Sequence, residues 1–133
     1  MLSAQRKGVV IMENNDLFSK DHIWVYQEDH TVKIGISAYA VEQLGSIMFL
    51  NLPEVGERIE INERFGDIES VKTVSDLISP VTGEVVSVNE NLLENLENIS
   101  NNPYKSWFIE AKAEQFADGL MSKEEYQKYR DEL

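Results

Sequence analysis

Pro53-Glu-Val-Gly56-Glu57-Arg-Ile59-Glu-Ile61-Asn62-Glu63-Arg-Phe65 and Pro80-Val-Thr-Gly83-Glu84-Val-Val86-Ser-Val88-Asn89-Glu90-Asn-Leu92 are two copies of one pattern. A shift of 27 residues lays Pro53 on Pro80, Gly56 on Gly83, Glu57 on Glu84 and Asn62-Glu63 on Asn89-Glu90. Ile59, Ile61 and Phe65 then fall on Val86, Val88 and Leu92. Each copy reads as a Pro/Gly turn, a strand of period two and an Asn-Glu turn. Two copies are too few for a solenoid, which needs three or more. The pattern predicts two interlocked β-halves related by a pseudo-twofold axis. Chance convergence of turn chemistry is the weaker explanation, because eight positions agree without a gap.

Between the copies lies Gly66-Asp-Ile-Glu69-Ser70-Val71-Lys72-Thr-Val-Ser-Asp76-Leu-Ile-Ser79. The midpoint between Phe65 and Pro80 falls beside Lys72, so symmetric halves make this segment a hairpin with Lys72 at its tip. Ile68 and Val71 before it, and Val74, Leu77 and Ile78 after it, supply apolar anchors on both arms.

Working outward, Ile23–Gln27 reads as a strand and Thr31–Ile36 alternates, with Val32, Ile34 and Ile36 on one face. Ser37 can cap a short helix through Leu44, and Gly45 stands where such a helix stops. Ile47–Leu52 is a further strand closed by Pro53. Residues Asn91–Asn102 are polar and irregular, a loop with one helical turn. Trp107–Ala111 is another strand, and Ser122-Lys-Glu-Glu125 is a capping box opening a last helix with Tyr126 and Tyr129. Trp24 and Trp107 read as core, Glu57 and Glu84 as exposed acids, and His22 and His30 as ordinary turn or surface histidines.

The composition narrows the chemistry. A chain of 133 residues suits one domain. Cysteine is absent, so disulfides, thiol nucleophiles and cysteine–zinc sites are excluded and any sulfur chemistry must come from a cofactor. Two histidines are too few for a typical histidine-built metal centre, so no metal is expected. The net charge of −12 repels phosphate backbones and anionic lipid, which argues against nucleic-acid and membrane-surface binding. No apolar run approaches the roughly 18 residues that span a bilayer. The first twelve residues contain Arg6, Lys7 and Ser3 but no acid. They read as a short organelle-targeting leader (mitochondrial or hydrogenosomal) or as an extended start, ahead of a single domain from residue 13 to 133. A bacterial, cytoplasmic chain is the alternative.

Lys72 has several possible roles. A Schiff-base or general-base lysine must be desolvated to lose its proton at neutral pH. Glu69, Ser70, Thr73, Ser75 and Asp76 instead give it a polar, exposed setting. Covalent attachment of a cofactor asks for exposure, a fixed turn that a ligase can recognise and rigid flanking strands, and the repeat supplies all three. Without the repeat, Lys72 would be a plain surface lysine.

These residues also resemble a known family. Glu69–Asp76 (ESVKTVSD), preceded by Leu52–Ile59 (LPEVGERI) and followed by Ser79–Val85 (SPVTGEV), is similar to the glycine cleavage H-protein. His22–Trp24, Val32–Ser37, Leu44-Gly45, Asn102–Tyr104 with Trp107, and Met121–Tyr129 match in collinear order, from about Phe18 to Tyr129. The resemblance implies a mostly β, lipoyl/biotinyl-domain-like flattened barrel-sandwich with pseudo-twofold halves and small peripheral helices. It also separates cofactors. Biotin carriers usually set their lysine between methionines, and lipoyl domains of 2-oxo-acid dehydrogenases usually place Asp before it, whereas Val71 and Thr73 flank Lys72 here.

By that resemblance the protein is a carrier and no enzyme, with lipoate on Lys72. Glu69, Ser70, Val71 and Asp76 would contribute to recognition and to a cleft for the arm. The implied partners are a pyridoxal-phosphate glycine decarboxylase, a tetrahydrofolate-dependent aminomethyltransferase and a flavin-dependent dihydrolipoyl dehydrogenase. A lipoate ligase or a lipoyl/octanoyl transferase would install the arm. Two alternatives are an H-like protein serving lipoate relay or another carrier pathway, and an interaction module without lipoate. One departure stands out: the family usually reads His-Glu-Trp where this chain has His22-Ile23-Trp24, and that acid helps to hold the loaded arm's cationic amine. Asp76 matches another acidic position of that cleft. Ser46 stands in place of a common Asp, and Ser106 in place of a common Gly.

Overall fold

The structure is a computed structural model that describes residues 16–133, so the reading of residues 1–12 as a leader lies outside the described residues. The strands are β1 (Asp16–Phe18), β2 (Ile23–Glu28), β3 (Thr31–Ile36), β4 (Ile47–Asn51), β5 (Arg58–Ile59), β6 (Arg64–Ser70), β7 (Val74–Ile78), β8 (Val81–Val88) and β9 (Ile109–Phe116). The helices are α1 (Ala38–Leu44), α2 (Glu90–Leu93), α3 (Glu97–Asn101) and α4 (Lys123–Asp131). One antiparallel sheet runs β1-β2-β3-β9-β8-β5 and a second runs β4-β6-β7. Val25, Ile34, Val85, Ile109 and Ala111 of the larger sheet form one continuous core with Leu50, Ile68 and Leu77 of the smaller. Both sheets thus bury one face, giving the mostly β class that the alternation predicts and the barrel-sandwich that the resemblance implies.

The two sequence copies meet each other. Arg58 pairs with Glu84 and Ile59 with Gly83. The Val85 amide donates to the Glu57 carbonyl at 2.9 Å and the Gly56 amide to the Val85 carbonyl at 2.8 Å. The Asn62 amide donates to the Ser79 carbonyl, and the Ser79 amide returns a bond to Glu63, both at 2.9 Å. A 27-residue shift carries the Arg58–Glu84 pair onto the Val85–Glu57 pair, so the contact is its own equivalent under a local twofold. Gly83 is required where strands crowd: a Cβ there would lie 2.2 Å from the Lys112 carbonyl oxygen.

Some elements differ from the sequence expectation. Copy one's strand spans two residues and copy two's spans eight. The Asn-Glu pairs also diverge: Asn62 turns with φ +66°, whereas Asn89 begins α2. Asn91–Asn102, expected as a loop with one helical turn, forms most of α2 and all of α3, because Leu92 and Ile99 plug into the core. The strand expected at Trp107–Ala111 starts at Ile109 and continues to Phe116 along β8. Helix α1 carries its Ser37 cap, with the Ala40 amide donating to Oγ at 3.2 Å, and stops at Gly45 with φ +77°. Helix α4 has both bonds of the Ser122–Glu125 capping box. It is pinned through Tyr126, which stacks on Phe18 at 4.5 Å and 7°. Phe18 and Met121 exchange both backbone hydrogen bonds at 2.8 Å.

Candidate functional site: the lysine hairpin and its cleft

Strands β6 and β7 form the predicted hairpin, and Lys72 is exposed at its tip with Val71 and Thr73. Ser70 builds that tip. Its amide donates to the Thr73 carbonyl at 2.8 Å, and its hydroxyl oxygen accepts the amides of Lys72 and Thr73, each at 3.2 Å. The Val71 amide donates to the Ser46 carbonyl at 3.1 Å, tying the tip to the turn after α1. The Lys72 stem passes over Gly45, where an added Cβ would sit 3.5 Å from Lys72 Cε. None of the ion pairs among the described residues involves Lys72. The amine is therefore presented on a short, multiply hydrogen-bonded turn backed by two strands whose Ile68 and Leu77 are buried.

The outer face of the small sheet carries two rows of side chains. Cross-strand pairing sets Phe49, Glu69 and Val74 in one row, and paired residues share a face. Phe49, Val71 and Val74 are 58%, 64% and 61% exposed, an apolar apron around the lysine. The next row is Asn51, Asp67 and Asp76. Arg64 spans it, donating to Asp67 and, at 3.2 Å through Nε, to Asp76. Asn51 donates to Asp67 at 2.7 Å, and this bond, then Arg64, holds the Asp67 carboxyl below the usual carboxylate range.

A cleft of about 340 Å³ opens beside the hairpin. Ile23, Ile36, Leu44, Ile68 and Leu77 line its apolar part, and Asp21, His22, Tyr39, Thr73 and Asp76 its polar part. Ile23 is 1% exposed and pairs with Ile36, so its place is fixed by β2–β3 pairing. Of the expected site residues, Lys72, Ser70 and Val71 meet at the tip and Asp76 borders the cleft. Glu69 lies in the outer row, and the Asp76 carboxylate is engaged by Arg64. Sequence reasoning missed three features here: the Gly45–Ser46 tether, Asp21 at the cleft and the contact of His22 with helix α4. Expected as an ordinary turn or surface histidine, His22 is half-buried, with Nδ1 2.7 Å from the Tyr126 hydroxyl. Trp107, expected as core, is only partly buried and lies under Lys33 Nζ at 5.2 Å.

Comparison with known proteins settles the kinship. The family model described as Glycine cleavage H-protein matches residues 16–133. This chain belongs to the glycine cleavage H-protein family. The glycine cleavage system H protein of Oceanobacillus iheyensis is 44% identical over 116 residues, covering 85% of this chain and 92% of that one. The H protein of Geobacillus thermodenitrificans is 47% identical over 112 residues, covering 82% and 88%. The crystal structure of a glycine cleavage system H protein from Mycobacterium marinum superposes with a TM-score of 0.84 at 34% identity. It covers 89% of this chain and 98% of that one. The H-protein family is a lipoate-bearing carrier of the glycine cleavage system, and the barrel-sandwich described above is its fold. These relatives are bacterial, so the mitochondrial or hydrogenosomal location expected from residues 1–12 is not supported.

Proposed function

We propose that Lys72 carries lipoate in amide linkage and that this chain serves the decarboxylase, the aminomethyltransferase and the dihydrolipoyl dehydrogenase of glycine cleavage in turn, in a bacterial cytoplasm. The observation that carries the reading is the single exposed amine on a rigid tip beside a cleft of about 340 Å³. The residues present suit the group: the apolar lining by Ile23, Ile36, Leu44, Ile68 and Leu77 matches an aliphatic chain, and Asp21 and Asp76 supply acids at the rim. When bound, lipoate supplies a disulfide that accepts a one-carbon amine and is left as a dithiol for reoxidation.

The chain's own part is mechanical and electrostatic. Ser70 fixes the Lys72 and Thr73 amides, so a ligase or transferase meets one tip geometry. Phe49, Val71 and Val74 offer the apolar contact that docking needs, and Glu69 and Asp76 bias that contact toward basic clefts. Tethering keeps the arm at high effective concentration at each partner. The hard chemistry belongs to cofactor and partners.

Intact mass of the purified protein, before and after a lipoate ligase, tests the proposal: one lipoyl increment is expected and Lys72→Arg should abolish it. An unmodified mass after complete ligase treatment would overturn it. Glycine-dependent exchange of carboxyl carbon with bicarbonate, with the decarboxylase added, separates glycine cleavage from lipoate relay.

A further inference from the structure

A chain of hydroxyl groups joins helix α4 to the cleft wall. The Ala40 amide donates to Ser37 Oγ at 3.2 Å, Ser37 Oγ lies 2.7 Å from the Tyr126 hydroxyl, and that hydroxyl lies 2.7 Å from His22 Nδ1. Ser37 is completely buried, so its hydroxyl proton needs an acceptor. Among the described residues the Tyr126 oxygen is the acceptor within reach. With that oxygen accepting from Ser37, the phenol proton goes to His22 Nδ1. A neutral imidazole that accepts at Nδ1 carries its own proton on Nε2. The relay therefore has a direction, set by the burial of its first member.

His22 is well placed to use that proton. Its backbone is held at φ +69°, its amide donates to Ser19 and its carbonyl accepts from Ser37 at 2.9 Å. Its ring sits among those of Tyr39, Tyr126 and Tyr129, at 4.9, 5.8 and 6.1 Å. His22 lines the cleft with Ile23, Tyr39 and Asp76, and no hydrogen bond among the described residues uses Nε2. Burial lowers the histidine pKa and outweighs the opposing pull of Asp21, which favours the neutral ring.

We propose that His22 is a positioning residue that presents a neutral Nε2–H donor to the cleft. Tyr126 of α4 locks its tautomer, and the donor takes an acceptor atom of the arm on Lys72, its amide carbonyl or a sulfur. The contact with the arm rests on the carrier reading above; the tautomer does not. The C-terminal helix thereby acts on the cleft through His22, although none of its residues lines it.

Long-range ¹H–¹⁵N spectra of the unmodified full chain at pH 7 test the relay. His22 should show a protonated Nε2 and an unprotonated Nδ1. Tyr126→Phe, which keeps the ring, removes one hydrogen bond of about 1 kcal/mol and should shift the tautomer ratio about fivefold toward Nδ1–H. A wild-type Nδ1–H tautomer, or an unchanged ratio in Tyr126→Phe, would overturn the lock. The same signal is then followed with octanoyl or lipoyl on Lys72. Movement with both arms assigns the carbonyl, which they share; movement with lipoyl alone assigns a sulfur; no movement with either overturns the contact. Failure of Lys72 to accept either arm would strike at the carrier reading instead.

Discussion

The hydroxyl oxygen of Ser70 accepts the amide hydrogen of Lys72 at 3.2 Å, so the residue two places before the lysine shapes the turn on which the amine stands. The same oxygen accepts the Thr73 amide, and the Ser70 backbone closes the turn on the Thr73 carbonyl. One short side chain thus fixes both sides of the tip.

Ser70→Ala should leave the fold intact and slow acylation of Lys72. Loss of these exposed bonds costs about 1 kcal/mol, equivalent to a fall in Tm of roughly 3 °C. Misplacement of the amine by a similar energy slows ligase turnover by about fivefold. A time course of intact mass against ligase concentration measures the rate, and an unchanged rate would refute the role of Ser70.

Gly83→Ala should be far more damaging than most alanine substitutions. Its Cβ would enter within 2.2 Å of the Lys112 carbonyl, where β8 and β9 cannot separate without breaking their ladder. Overpacking of this kind costs about 3 kcal/mol, so the urea midpoint should drop sharply with little change in slope.

Ile23→Glu restores the acid usual in the family at a residue that is 1% exposed. Burying a carboxylate against Ile36 should destabilise the unloaded protein by about 3 kcal/mol. The loaded form should decay more slowly, because an ammonium in the cleft gains a partner. Equal lifetimes for wild type and variant would refute weaker protection by Ile23.

Arg64→Ala releases both Asp67 and Asp76 on the outer face. Exposed ion pairs contribute about 0–1 kcal/mol, so stability should barely change. The freed Asp76 carboxylate at the cleft rim should lengthen the lifetime of the loaded form, measured by its release of ammonia and formaldehyde.

Burial of His22 and Tyr126 sets a pH signature. His22 is held below the ordinary histidine range by burial. Below about pH 6.5 the unfolded chain takes up the proton first, so stability falls with pH until the folded form is protonated too. Tyr126 is pushed upward, by burial first, so it contributes stability that is lost as pH rises above about 10. His22→Gln should flatten the acid limb of a plot of Tm against pH, and Tyr126→Phe the alkaline limb.

Much of this was legible in the residues because it depends on local chemistry. The Pro/Gly turns, the alternation of Val32, Ile34 and Ile36, the Ser37 and Ser122 caps and the central Lys72 each follow from short-range rules. Ile99 and Leu92 were obscured by the asparagines and glutamates around them, so two short helices looked like a loop. His22 does stand in a turn, as expected, but its contact with α4 was not legible, because those neighbours lie about a hundred positions later and no local pattern reports that docking. Asp76 was legible as an acid near the lysine, but its engagement by Arg64 depends on the pairing register of β6 and β7.

The chain before the hairpin tip is laced to the chain after it at three places: Arg58 with Glu84, β3 with β9 and β6 with β7. A protease nick at Val71–Lys72 would therefore yield fragments that need not part, each still seated in its counterpart's groove. Fragments made separately should find one another when mixed, and left alone each would offer its open margin to a copy of itself.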